Sequence, residues 1–187
     1  SPGMVVVNNA MYFTDSDIIA VVPYIGENVP MAVNPGVLAH EHFHAHFQSQ
    51  VMNVLGTKAY ITNSPWISAI NVRQINNLIL LGWNEGLADF FSSVFNRNPG
   101  FLSASSPEMA KERRLDIPFK DLEKLPPGQR VERLVYGSRR PINQLRWIAY
   151  STGTMLARVM YQLATSGSEP ADSFLRRVML NLSKVPN

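Results

Sequence analysis

The sequence predicts an α+β fold: a small N-terminal β-sheet followed by a mostly helical body. Three observations carry that reading. Short β-branched runs sit near the start, at Met4–Val7 and Asp17–Val22, bounded by Asn8-Asn9 and Asp15-Ser16. Helix-start signals and helical apolar spacing take over from about residue 36. A chain of 187 residues that is 45% hydrophobic and 17% charged is long enough for one buried core and too apolar for disorder.

The two runs form the strands of the small sheet. Pro23, Gly26, Pro30 and Asn34-Pro35-Gly36 punctuate the next stretch as loop or edge strand. From about Gly36 to Met52 the pairs Phe43/Phe47 and Phe47/Val51 recur at i, i+4, which predicts a helix. Gly56 ends that unit. Ser64-Pro65 then reads as a cap followed by a first-turn proline, opening a helix that runs to Asn96 with a break near Gly82. Residues 97–140 carry Pro99-Gly100, Pro107, Pro118 and Pro126-Pro127-Gly128, an irregular excursion with one short helix around Glu108–Arg114. Pro141 opens a helix to about Ala164, and Ser168-Glu169-Pro170 caps a last one to about Lys184. The whole is a single domain over 1–187: edge strands in 1–35, two motif-bearing helices in 36–96, the excursion in 97–140 and C-terminal helices in 141–187.

Composition narrows the chemistry. There is no cysteine, so a metal would have to sit on His, Asp or Glu. No run approaches the roughly 20 apolar residues of a membrane span. The net charge is +3, and the basic residues concentrate between Lys111 and Arg146. Acids are mixed among them and no stacked-aromatic pattern accompanies them, so the segment reads as a solvated surface and no nucleic-acid partner is expected.

All four histidines fall between His40 and His46. His40-Glu41-x-x-His44 places two imidazoles about 40° apart on a helix face, able to share one zinc ion. Glu41 flanks that face, where a carboxylate can take a proton from a water on the metal. His42 and His46 form a second i, i+4 pair on the other side of the helix, with Phe43 where a glutamate would be needed, and are assigned to the rim. A third ligand must be a carboxylate. Trp83-Asn84-Glu85-Gly86-Leu87-Ala88-Asp89-Phe90-Phe91 offers Glu85 and Asp89 at i, i+4 among apolar neighbours. Buried carboxylates need a positive receiver, which assigns Glu85 as ligand and Asp89 as hydrogen-bond acceptor from a ligand imidazole.

His40-Glu41-x-x-His44 followed by Asn84-Glu85-x-x-Ala88-Asp89 resembles the gluzincin metallopeptidases, the group of thermolysin and the aminopeptidase N family. The resemblance implies a zincin-like fold, one Zn²⁺ per chain held by His40, His44 and Glu85, Glu41 as general base and Asp89 orienting a ligand histidine. Tyr150-Ser151-Thr152-Gly153 is similar to the Y-x-x-G segment of the aminopeptidase N branch, which implies Tyr150 as oxyanion donor. Tyr136 and Tyr161 are weaker competitors. Forty residues lie between His44 and Glu85, more than gluzincins usually have, which calls for an inserted helix or loop. Gly26-Glu27-Asn28 only faintly echoes the segment that binds a substrate amine in the aminopeptidases.

The expected activity is hydrolysis of a peptide or protein substrate. The alternatives are a catalytically inactive zinc-binding or scaffolding module of the same fold, and a zinc hydrolase of a non-peptide amide or ester. Family habit points to an exported or cell-envelope protein. Cleavage specificity and oligomeric state are not legible in the sequence.

Overall fold

The computed structural model describes residues 9–22, 29–54, 66–67, 72–117, 140–182 and 184. Strands β1 (Ala10–Phe13) and β2 (Ile18–Val21) form an antiparallel hairpin in which Ala10 faces Val21 and Phe13 faces Ile18. Asp17 closes its turn with φ 53° and accepts the Tyr12 hydroxyl at 2.8 Å. The strand that pairs with β2 is thus Ala10–Phe13, which the β-branched criterion passes over because Ala-Met-Tyr-Phe has no β-branched residue. The expected strand at Met4–Val7 lies outside the described residues.

A 3₁₀ turn at Met31–Val33 leads into α1 (Pro35–Phe47), which continues as a single π-helical turn over Gln48–Met52. The sequence Asn34-Pro35-Gly36, read as loop punctuation, is the start signal of this helix. Asn34 Oδ1 accepts from the amides of Gly36 at 2.9 Å and Val37 at 3.4 Å, and Pro35 occupies the first turn, where its missing N–H has no partner to lose.

Strand β3 (Trp66–Ile67) pairs antiparallel with β4 (Arg140–Pro141). Ser64-Pro65 therefore does not open a helix at Trp66, where extended pairing wins. The long helix α2 instead spans Val72–Phe95 and passes through Gly82 without a break. Gly82 is tolerated because packing replaces propensity: the backbone of α4 (Ile142–Ser166) crosses at that point. A Cβ on Gly86 would lie 2.3 Å from the carbonyl oxygen of Gly153, and one on Gly153 would lie 2.6 Å from that of Gly82. The short helix α3 (Pro107–Arg113) and the last helix α5 (Ala171–Leu182) fall where the sequence places them.

Three apolar clusters hold these elements. Phe43, Phe47, Val51 and Met52 of α1 and its π turn pack on Leu87 and Ala88 of α2. Met31, Val37, Phe101, Leu102 and Ala110 form a second cluster, with Ala10 and Val21 of the hairpin against it. Phe90, Leu115, Ala157 and Ala164 join α2, α4 and α5. The architecture is mostly helical with small antiparallel sheets, as the α+β reading requires. Among the described residues no helix is long and apolar enough to cross a membrane.

Candidate metal centre

Helices α1 and α2 meet with His40, His44 and Glu85 turned toward one another. Their donor atoms all lie within 4.8 Å of each other. His40 Nε2 is 3.0 Å from His44 Nε2 and 3.5 Å from Glu85 Oε2, and His44 Nε2 is 3.8 Å from Glu85 Oε1. Three ligands on a tetrahedral ion at zinc bond lengths would be separated by about 3.3 Å, so the triangle has the dimensions of a zinc site.

The remote ring nitrogens face oxygens. His44 Nδ1 lies 2.9 Å from Asn84 Oδ1, and His40 Nδ1 lies 3.0 Å from Asp89 Oδ1, an ion-pair approach without an aligned N–H. If His40 keeps its proton on Nδ1 beside the Asp89 carboxylate, as His44 does toward Asn84, both Nε2 lone pairs point inward at 3.0 Å, and that contact is repulsive unless a cation stands between them. Without a metal the cation is a proton. Burial alone would lower the His40 pKa, but the Asp89 and Glu85 carboxylates beside it hold the ring up at about 9, whereas burial keeps His44 below its ordinary value. His40 Nε2–H then donates to His44 Nε2. Burial also opposes ionisation of Glu85, yet His44, His40 and Arg113 outweigh it and hold the carboxyl down at about 2.

Formal charge leads to the same conclusion. Glu41, Glu85 and Asp89 are buried, and among the described residues the guanidinium of Arg113 pairs with Glu85 and Asp89. These three buried carboxylates outnumber the guanidinium groups near them, Arg113 in direct contact and Arg158 further off on the same cavity wall, and the excess negative charge favours a bound cation. The residues present fit such an ion.

Arg113 is the site residue that sequence reasoning missed. It was placed with the solvated basic segment, but α3 turns it inward. Its Nε and Nη2 donate to Asp89 at 3.0 and 2.5 Å, and Nη2 lies 3.4 Å from both Glu85 Oε2 and His40 Nε2. The signal was indirect: two carboxylates on a buried helix face need more positive charge than neutral imidazoles supply, but nothing singled out one arginine among many. Asn84, quoted only as part of a motif, proves to be the partner of His44.

Tyr150 lies under the Arg113 guanidinium, 5.6 Å from cation to ring centre, and lines the same cavity as the triad and Glu41. That cavity measures about 750 Å³, and Met11, Met31, Val37, Leu102, Met109 and Met155 make much of its wall apolar. His42 is exposed and His46 is half-buried with its ring toward Phe43, and neither belongs to the triad. Tyr161 packs against the Phe90 cluster and is not part of the cavity wall. Tyr136 and Gly26-Glu27-Asn28 lie outside the described residues. The inserted segment expected between the two helices corresponds to residues 53–71, of which the structure describes Asn53, Val54 and β3.

Local sequence explains the precision. Asn34 Nδ2 donates to Phe101 O at 3.1 Å and Ser105 Oγ at 2.8 Å, while Ser92 Oγ donates to Gly36 O at 2.6 Å, so the start of α1 is tied to both α2 and the loop before α3. The Phe101 ring stacks on His40 with centroids 5.9 Å apart. The glycine contact between α2 and α4 sets Gly153 against Gly86 and Glu85, and Tyr150, three residues earlier on α4, lines the same cavity as Glu85. Comparison with known proteins finds no matching family model, curated protein or solved structure.

Proposed function

We propose that this protein is a zinc-dependent peptidase of gluzincin type with a zincin-like fold, and that the open cavity beside the triad receives the peptide. The observation that supports it best is the convergence of His40, His44 and Glu85 at zinc-site spacing, with Glu41 buried on the same cavity wall. His40, His44 and Glu85 would hold the ion, leaving one coordination position open. When bound, zinc supplies a Lewis acid that acidifies water and polarises a carbonyl.

The chain's own groups do the rest. Glu41 accepts the proton of the attacking water and returns it to the departing amine. Asp89 fixes the His40 ring, and Asn84 fixes that of His44. Tyr150 offers a neutral O–H to the oxyanion that forms as the carbonyl is attacked. Arg113 neutralises Asp89, so that the carboxylate remains in a buried place. The Met-lined wall is a deformable apolar surface suited to a side chain of the substrate.

The test is Glu41→Gln in protein supplied with zinc, assayed on a pool of quenched fluorescent peptides. The variant is expected to keep its zinc and to lose hydrolysis by about 10²- to 10⁴-fold. Full turnover in the variant would remove Glu41 from the mechanism. Zinc uptake with no hydrolysis by the wild type of any peptide, amide or ester would favour a zinc-binding module.

A further inference from the structure

Tyr150, Thr154 and Arg158 succeed one another at four-residue spacing on α4, and all three line the cavity that holds the triad. Tyr150 belongs to the proposed chemistry. Arg158 has no place in it.

Among the described residues the Arg158 guanidinium is held in place by hydrogen bonds to main-chain oxygens and has no carboxylate at ion-pair distance. Nε donates to the main-chain oxygen of Arg114 at 2.9 Å and Nη2 to that of Glu112 at 2.7 Å. These carbonyls orient the group without balancing its charge, and three of its five N–H donors remain for another acceptor. The acids that act on the guanidinium from further off are already engaged, Asp89 with Arg113 and Asp116 with Arg114. Glu112, also on the cavity wall, is exposed and contributes its backbone carbonyl. Burial pushes the guanidinium below its ordinary pKa, and the more distant Asp89 and Asp116 carboxylates only partly offset that cost.

A half-buried, pre-oriented guanidinium in a binding cavity is suited to a carboxylate, which can accept two parallel N–H bonds. We propose that Arg158 is a specificity residue that binds a carboxylate of the substrate, and that this carboxylate is the free C-terminus. The eight residues from Tyr150 to Arg158 span about 12 Å of helix, and an extended peptide covers about 3.3 Å per residue. The carboxylate therefore sits about three to four residues beyond the scissile carbonyl, and the products are short C-terminal fragments. This inference rests on the peptidase reading for its chemistry, but recognition of the carboxylate can be measured without turnover.

The experiment uses one apolar peptide sequence in three forms: free C-terminal acid, C-terminal amide, and amide carrying glutamate in place of one of the last three residues. Cleavage by the zinc-supplied protein is compared with binding of labelled peptides to its Glu41→Gln variant. A charge-assisted pair predicts a preference for the acid over the amide of at least about tenfold in both measurements. In Arg158→Gln the ratio is expected to fall to near one, mainly through KM. Arg158 also steadies the main chain at the end of α3, and a purely structural role would lower all three peptides together and leave the ratio intact. An acid preference in binding without any cleavage would uphold the carboxylate site and refute the peptidase reading. Equal treatment of acid and amide by the wild type overturns the C-terminal assignment, and rescue of the amide by its glutamate would transfer the carboxylate to a side chain. Indifference to all three forms overturns the site itself, whatever the behaviour of the variant.

Discussion

Gly86→Ala is the substitution for which the structure gives the sharpest expectation. The new Cβ would lie 2.3 Å from the Gly153 carbonyl oxygen and 2.9 Å from both its carbonyl carbon and its Cα, all main-chain atoms of the opposing helix. Restoring an ordinary contact of about 3.4 Å requires α2 and α4 to separate locally by about 1 Å. Overpacking of this kind typically costs about 1–3 kcal/mol, and the better helix propensity of alanine returns about 1 kcal/mol of it. A clash at 2.3 Å with main-chain atoms, which cannot swing aside, falls in the upper part of that range, at about 2–3 kcal/mol, so the net loss is about 1–2 kcal/mol, or about 2–8 °C in Tm for a chain of this length. Gly82→Ala supplies the internal control, because its Cβ would meet nothing nearer than the Ala149 oxygen at 3.2 Å, and it is expected to be close to neutral. Gly153→Ala, at 2.6 Å from the Gly82 oxygen, should resemble Gly86→Ala. The activity loss should exceed the stability loss, since separating the helices moves Tyr150 away from Glu85, and a 1 Å misplacement can lower turnover by about 10²-fold. Thermal melts and peptide turnover on the three variants decide the matter. A Gly86→Ala protein as stable as Gly82→Ala would refute the close crossing.

Two further expectations follow from the site's surroundings. Asn34→Ala removes the α1 cap and both bonds to the loop at Phe101 and Ser105, so denaturant unfolding should show a loss of about 2–4 kcal/mol, well above that of an ordinary cap. With pH, His40 and Glu85 act in opposite directions. His40, raised to about 9, stabilises the metal-free protein below its unfolded value near 6.5, and that contribution disappears as the pH climbs through 9. Glu85, lowered to about 2, contributes above its unfolded value near 4.5 and loses that contribution as the pH falls toward 2. Zinc requires the neutral ring, so the Tm difference between zinc-supplied and chelated protein should widen from pH 6 to 9, with proton release on binding. A difference that narrows over that range would contradict the proton-sharing arrangement of His40 and His44.

How far the sequence discloses this molecule depends on the range of the interactions. His40, Glu41, His44, Glu85 and Asp89 were legible because helical periodicity fixes which residues share a face, and because a buried carboxylate pair demands a positive partner. The structure brings all five together. Most helices were legible for the same reason, to within a few residues; the long helix Val72–Phe95 was expected to open at Ser64-Pro65 and to break near Gly82, and does neither. Strand Ala10–Phe13 was not, because its pairing is set by packing against the start of α1 and not by β-branched composition. Trp66–Ile67 escaped for a related reason: a local proline signal suggested a helix, while a non-local strand partner at Arg140–Pro141 decided the conformation. Arg113 was invisible because its role depends on the turn of a short helix that brings it back over α2. Gly82 reads as a break in the sequence, since nothing local distinguishes a glycine that weakens a helix from one that admits a second helix.

The central claim is a zinc ion held by His40, His44 and Glu85, and metal content tests it most directly. Plasma mass spectrometry would be run on the purified wild type and on Glu85→Ala, each after equilibration with zinc and removal of the excess. The account predicts a single zinc ion per chain in the wild type, lost or greatly weakened in the variant. Stoichiometric zinc that is indifferent to Glu85 would contradict the three-ligand site. A wild type that takes up no zinc would leave the buried histidines sharing only a proton.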